Sequence, residues 1–149
     1  MRPLLPAVAA FCAVMACAPR RQSEPLPHAG KPPNRCYALT YPGNADAASV
    51  FPARLGFVPG SHRVLGRPSP AGERFWAVFG SGGEWSAAPG DSVRVSFSNG
   101  FSALVLMLRT SGDSLAGQAW FASDVISDTP PPRSLVAGAR SACDPAERW

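Results

Sequence analysis

Two histidines, four cysteines and no apolar run long enough to cross a bilayer leave this 149-residue chain with few of the parts that chemistry requires. His28 sits in a proline-rich stretch and His62 stands alone beside Arg63, so no Ser-His-Asp or Cys-His set can be assembled. His62 reads as a partly exposed strand histidine, not as a lone general base. Carboxylates are equally sparse in pattern. Asp91 and Asp113 open equivalent segments, and Asp124 and Asp128 bracket a short loop. Neither pair has the alternating oxygen ligands around a sharp glycine turn that calcium needs, so both Asp91 and Asp113 read as turn residues. The glycine-rich stretch Gly80-Ser81-Gly82-Gly83 lacks the Lys-Ser/Thr that grips a phosphate and reads as a hairpin connection. No metal and no cofactor are expected, and the chain reads as a non-enzyme. The formal net charge of +4 is almost all arginine, spread along the chain. Nucleic-acid binding asks for a clustered basic face with aromatic platforms, and no such partner is expected here.

What is present at the start is an address. Met1 and Arg2 give a short positive beginning, and Leu4 to Ala16 carries no charged side chain. That stretch is too short to span a bilayer and suits the central part of a secretion signal. Val14-Met15-Ala16-Cys17 resembles the lipobox of bacterial lipoproteins, with an aliphatic residue, a tolerant position and a small residue before the cysteine. The resemblance covers residues 1–18. It implies removal of 1–16, a diacylglycerol thioether on Cys17 and anchoring to a membrane; Ala18 in place of Asp implies the outer membrane, facing either the periplasm or the cell surface. Ordinary cleavage after Ala16-Cys17-Ala18 is the rival, but it would leave Pro19 first, which blocks cleavage.

Residues 17–34 then hold Pro19, Pro25, Pro27, Pro32 and Pro33 without apolar periodicity, the composition of an extended tether. In polyproline form, at ~3.1 Å per residue, it would reach about 50 Å. With Cys12 in the signal and Cys17 lipidated, Cys36 and Cys143 remain, and an oxidising compartment makes them a disulfide. A domain at 35–144 with a short tail at 145–149 follows.

Strand signals dominate that domain. Short strands are expected at 36–41, 54–58 and 62–66, with one helical turn capped by Asn44 and ended by Pro52. Phe75-Trp76-Ala77-Val78-Phe79, aromatic and β-branched, predicts another. Gly90-Asp91-Ser92-Val93 recurs as Gly112-Asp113-Ser114-Leu115, each copy opening a strand, and between them stands the hairpin signal Asn99-Gly100. Two-residue turns at 99–100 and 111–112 would pair Ser98 with Phe101, Val95 with Leu104, Val93 with Leu106 and Leu108 with Leu115. They would also set Ala103 against Trp120 and Met107 against Ala116. Both turns put Val93, Val95, Phe97, Leu104, Leu106, Leu108, Leu115, Gly117, Ala119 and Phe121 on one face, the core. The other face mixes Arg94, Ser96, Arg109 and Gln118 with Phe101, Val105, Met107 and Trp120. A last strand is expected from Ser134 to Cys143.

First and last strands clipped together imply an all-β fold: a small antiparallel meander barrel of about eight strands, with a flattened barrel or sandwich as the alternative. An outer-membrane barrel would use Trp149 as its terminal aromatic, but Asp144-Pro145-Ala146-Glu147-Arg148 breaks the alternation before it. The architecture loosely resembles the lipocalin-like barrels, and departs from them where Cys36-Tyr37-Ala38 replaces the tryptophan motif of their first strand. That resemblance implies an apolar interior, but with the motif missing it does not carry ligand transport over; from the residues themselves, small Gly117 and Ala119 on the core face would leave room for a small apolar ligand or for an aromatic such as Phe75 or Phe79. The reading that follows is a membrane-anchored binding module. Its partner is either that ligand or an envelope protein held against Arg94, Phe101, Val105, Met107 and Trp120. An inert structural accessory is the alternative, and a hydrolase using His62 or a carboxylate the weaker one.

Overall fold

The computed structural model describes residues 36–124 and 131–144. The signal, Cys17, the tether, Asp128 and the tail at 145–149 lie outside the described residues. Eight strands run in the order β1 Cys36–Thr40, β2 Arg54–Phe57, β3 Arg63–Arg67, β4 Gly82–Ala88, β5 Ser92–Ser98, β6 Ser102–Ser111, β7 Ser114–Ser123 and β8 Arg133–Ser141. Each pairs antiparallel with the next, and β1 pairs with β8, so the sheet closes on itself as a barrel in sequence order. Closure leaves no unpaired strand edge among them.

Alternation decides which side chains face in. Val93, Val95 and Phe97 on β5, Leu104, Leu106 and Leu108 on β6, and Leu115 and Ala119 on β7 are all buried, as the pattern of the sequence expects. The registers differ from the expected ones by two residues. Val95 pairs with Leu106 and Val93 with Leu108 across β5–β6, while Leu108 pairs with Gly117 and Leu106 with Ala119 across β6–β7. Ser98 faces Ala103, and that pair encloses a four-residue turn, 99–102. Asn99 explains it: its Oδ1 accepts from the backbone N–H of both Phe101 (3.0 Å) and Ser102 (2.9 Å), closing a wider turn than two residues allow. The second turn sits on Gly112-Asp113, with Gly112 at φ +57°. Because side chains alternate with period two, a two-residue shift moves every pair and leaves the buried face unchanged. The core differs from expectation at Phe121, which reaches the rim and is 37% exposed.

Residues 75–79, expected as a strand, are instead the end of a short helix and the turn that follows it. After Ser69, Pro70 to Gly72 forms a 3₁₀ turn that leads into α2 (Glu73–Trp76), while α1 (Ala47–Val50) lies between β1 and β2. Trp76 and Phe79, three residues apart, are buried while Ala77 and Val78 face water. A strand would have buried alternate residues; this spacing suits one helical turn. The glycines read as a loop instead begin β4 at Gly82.

Antiparallel order places the β1–β2, β3–β4, β5–β6 and β7–β8 connections at one pole, and the shorter turns with the start of β1 at the other. The first pole is closed by α1 and α2, which hold each other through Trp76 Nε1 to Val50 O (2.8 Å) and Ser69 Oγ to Ala48 O (2.6 Å). Asn44 stitches this lid to the barrel: its Oδ1 accepts from Ala47 N (3.1 Å), and its Nδ2 donates to the buried Ser134 of β8 (2.9 Å). At the other pole Cys36 and Cys143 form the disulfide, spanning 107 residues of sequence.

Candidate functional site

The interior is the first place to look for a ligand, and it is full. Tyr37, Leu55, Val64, Phe97, Leu104 and Leu106 are wholly buried, and Trp76 descends from the lid onto Phe97 with ring centroids 4.9 Å apart. Phe97 lies in space vacated by two glycines. A methyl on Gly66 would come within 2.7 Å of both the Phe97 and Trp76 rings, and one on Gly83 within 2.6 Å of Phe97 and of Ser96 O. The room expected around Gly117 is absent, because a methyl there would collide with the carbonyl oxygen of Met107. Phe75 and Phe79 pack with Phe121 at the rim, at 6.2 and 6.3 Å, and do not fill the centre.

A groove of about 450 Å³ lies on the outside of β3–β5, floored by Gly82 and Gly83 and edged by Arg63, Glu84, Ser96 and Ser98. It exists because Gly82 carries no side chain. Its polar groups are at the surface and none is held in a buried position, so it offers water-like contacts and little selectivity.

Chemical constellations are thin among the described residues. No group of three His, Cys, Asp or Glu could hold a metal ion there. His62 is exposed, and its ring leans on Trp85 at 4.9 Å, with Nδ1 3.4 Å from Trp85 O. Trp85 Nε1 donates to Ser61 O (2.9 Å), which makes this pair a clasp on the β2–β3 turn. Asp91 occupies the left-handed region at φ 57°, and the Asp113 carboxylate accepts from Arg140 at 3.3 Å; both act as turn residues. The Tyr41 phenol is raised well above its ordinary value by burial and donates to Pro52 O at 2.6 Å.

The outside of β5–β8 gathers most of the surface expected from sequence. Inter-strand registers align Arg94, Met107, Gln118 and Leu135 in one row across these strands, and Ser96, Val105, Trp120 and Arg133 in the next. Trp120 therefore faces Val105, not Ala103, and Met107 faces Gln118, not Ala116. Val105 is 1% exposed although it points outward. The Arg133 guanidinium sits 4.9 Å above the Trp120 ring and donates to Gln118 Oε1 at 3.0 Å. Phe101 does not join these rows. It is 78% exposed in the β5–β6 loop at the lid pole, a consequence of the four-residue turn. Arg133 and Leu135, which is 58% exposed, were missed in the sequence because β8 had no turn signal to fix its register against β7. No helix among the described residues is long and apolar enough to cross a membrane.

The chain matches no protein-family profile, no curated protein and no solved structure. Its all-β closed barrel of eight strands, with first and last strand regions linked by a disulfide, is the class that the fold defines.

Proposed function

We propose that this chain is an envelope lipoprotein, anchored through Cys17, whose barrel is a non-enzymatic binding module that recognises an envelope component with the outside of β5–β8 and not with its interior. The observation that carries the choice of surface is the filled core: Trp76, Phe97 and their neighbours occupy the volume in which an internal ligand would lie. Arg94, Met107 and Trp120 share one outward side with Val105, which is itself buried, and the accessible three are what a recognition face requires. The lipobox at 14–17, the proline-rich tether and the disulfide support the envelope address.

The test has two arms. Cys17→Ser should stop incorporation of labelled fatty acid and release the chain from the membrane fraction; unchanged membrane retention would defeat the anchor. A photo-cross-linking residue at Met107 should give adducts in intact cells that one placed at exposed Ser86 does not. Equal adducts, or an apolar molecule retained by the purified protein in native mass spectrometry, would defeat the choice of surface.

A further inference from the structure

Charge on the barrel wall is unevenly placed. The outward positions of β5–β8 run Ser92, Arg94, Ser96 and Ser98, then Ala103 to Arg109, then Ser114 to Ala122, then Arg133 to Ser141, in alternate residues. Three of them are arginine and none is Asp or Glu. Among the described residues the neighbouring carboxylates stand at the margins: Glu84 on β4, Asp91, Asp113 and Asp144 at one pole, Asp124 at the other. Arg94 and Arg109 are exposed, and among the described residues neither has an ion pair. Between these cations lie Met107, Trp120 and the 58% exposed Leu135. Four strands at ~4.8 Å spacing make this a face about 14 Å across, convex, with the groove of β3–β5 at its β5 edge.

From this arrangement we infer that the face docks on an anionic phospholipid surface, laying the barrel on its side against the membrane that anchors it. The inference rests on the lipoprotein reading above and names the envelope component. A convex wall with cations around an apolar strip can lie on headgroups, with arginines at the phosphates and Trp, Leu and Met at the acyl boundary. Entry of the tether agrees. Cys36 pairs with Ser141, so the chain reaches the barrel one strand away from β8, at the border of the face. A domain held within about 50 Å of the bilayer needs only weak contacts to stay down, because the tether makes docking intramolecular.

The lipidated full chain, reconstituted into vesicles with and without brominated lipid, decides the matter by tryptophan quenching. In phosphatidylcholine containing phosphatidylglycerol, brominated lipid should quench a component of the fluorescence that Trp120→Phe removes. In phosphatidylcholine alone that component should stay unquenched. Raising salt, or the double change Arg94→Glu and Arg109→Glu, should lower the docked fraction about tenfold or more. Both arginines are exposed, and an unchanged melting temperature would show that the double variant folds. Anchored chain with no Trp120 quenching in anionic vesicles would overturn the docking and leave the lipoprotein reading standing. So would quenching that the double variant retains, or shielding of Trp120 by an acidic protein with no response to phosphatidylglycerol. A chain recovered without lipid would overturn the lipoprotein reading instead; the same quenching comparison, with that chain added from solution, would still decide the face.

Discussion

Phe97 shows how much of this core hangs on single residues. Its ring meets Trp76 from the lid on one side and occupies the space left by Gly66 and Gly83 on the other. Phe97→Ala should therefore cost about 3–5 kcal/mol in a urea titration, the range for truncating a buried aromatic. Gly66→Ala should cost about 1–3 kcal/mol by overpacking the same place, and the pair combined should not add. Tyr41 gives a pH-dependent effect. Its phenol keeps its proton in the folded state well past the point at which an unfolded tyrosine, near pH 10, loses it. Above that pH the unfolded chain binds fewer protons than the native one, so stability falls as pH rises. Alkaline melting curves should show that decline, and Tyr41→Phe should flatten it while losing about 1 kcal/mol at neutral pH with the hydrogen bond to Pro52.

At the scale of elements, legibility followed period and failed at turn length. Alternation in β5, β6 and β7 was strong enough to name Val93, Val95, Phe97, Leu104, Leu106 and Leu108 as buried from the chain alone. Loop length was misread because Asn99-Gly100 normally announces a two-residue turn, whereas here the Asn99 side chain supports a longer one. Asn99→Ala should lose these two bonds and cost about 0.5–1.5 kcal/mol by chemical denaturation, with faster amide exchange at Phe101 and Ser102. The 75–79 segment was misread for a different reason. Its aromatic and β-branched composition favours a strand, but sealing the barrel mouth requires Trp76 and Phe79 on the same side of a helical turn, and tertiary packing overrode local preference. The face was legible on β5–β7 from alternation, although its pairings are shifted by two residues, and illegible on β8, whose register no turn signal sets. Nothing in the sequence marks the absence of carboxylates there until the strands are laid side by side.

For the whole molecule, the disulfide and the β1–β8 ladder do related work at one pole. Linking residues 107 apart removes freedom from the unfolded chain, an effect of up to ~4.7 kcal/mol in the entropy model, with about 2–4 kcal/mol typical of measured bridges. The variant with both Cys36→Ser and Cys143→Ser should therefore melt at lower temperature and unfold at lower denaturant while keeping the strand signature of its circular dichroism. The β-strand ladder from Cys36↔Ser141 to Thr40↔Ala137 holds the barrel shut without the bridge, which is why loss of stability and not loss of fold is expected.

Since β8 hands its hydrogen bonds directly to β1, the ring of strands has no intrinsic beginning. A short peptide joining the region of Cys143 to that of Cys36, with the chain reopened between Asn99 and Gly100, would preserve every ladder in the barrel. Such a circular permutant would carry its tether at the lid pole, and would turn the molecule end over end relative to whatever surface it is fastened to.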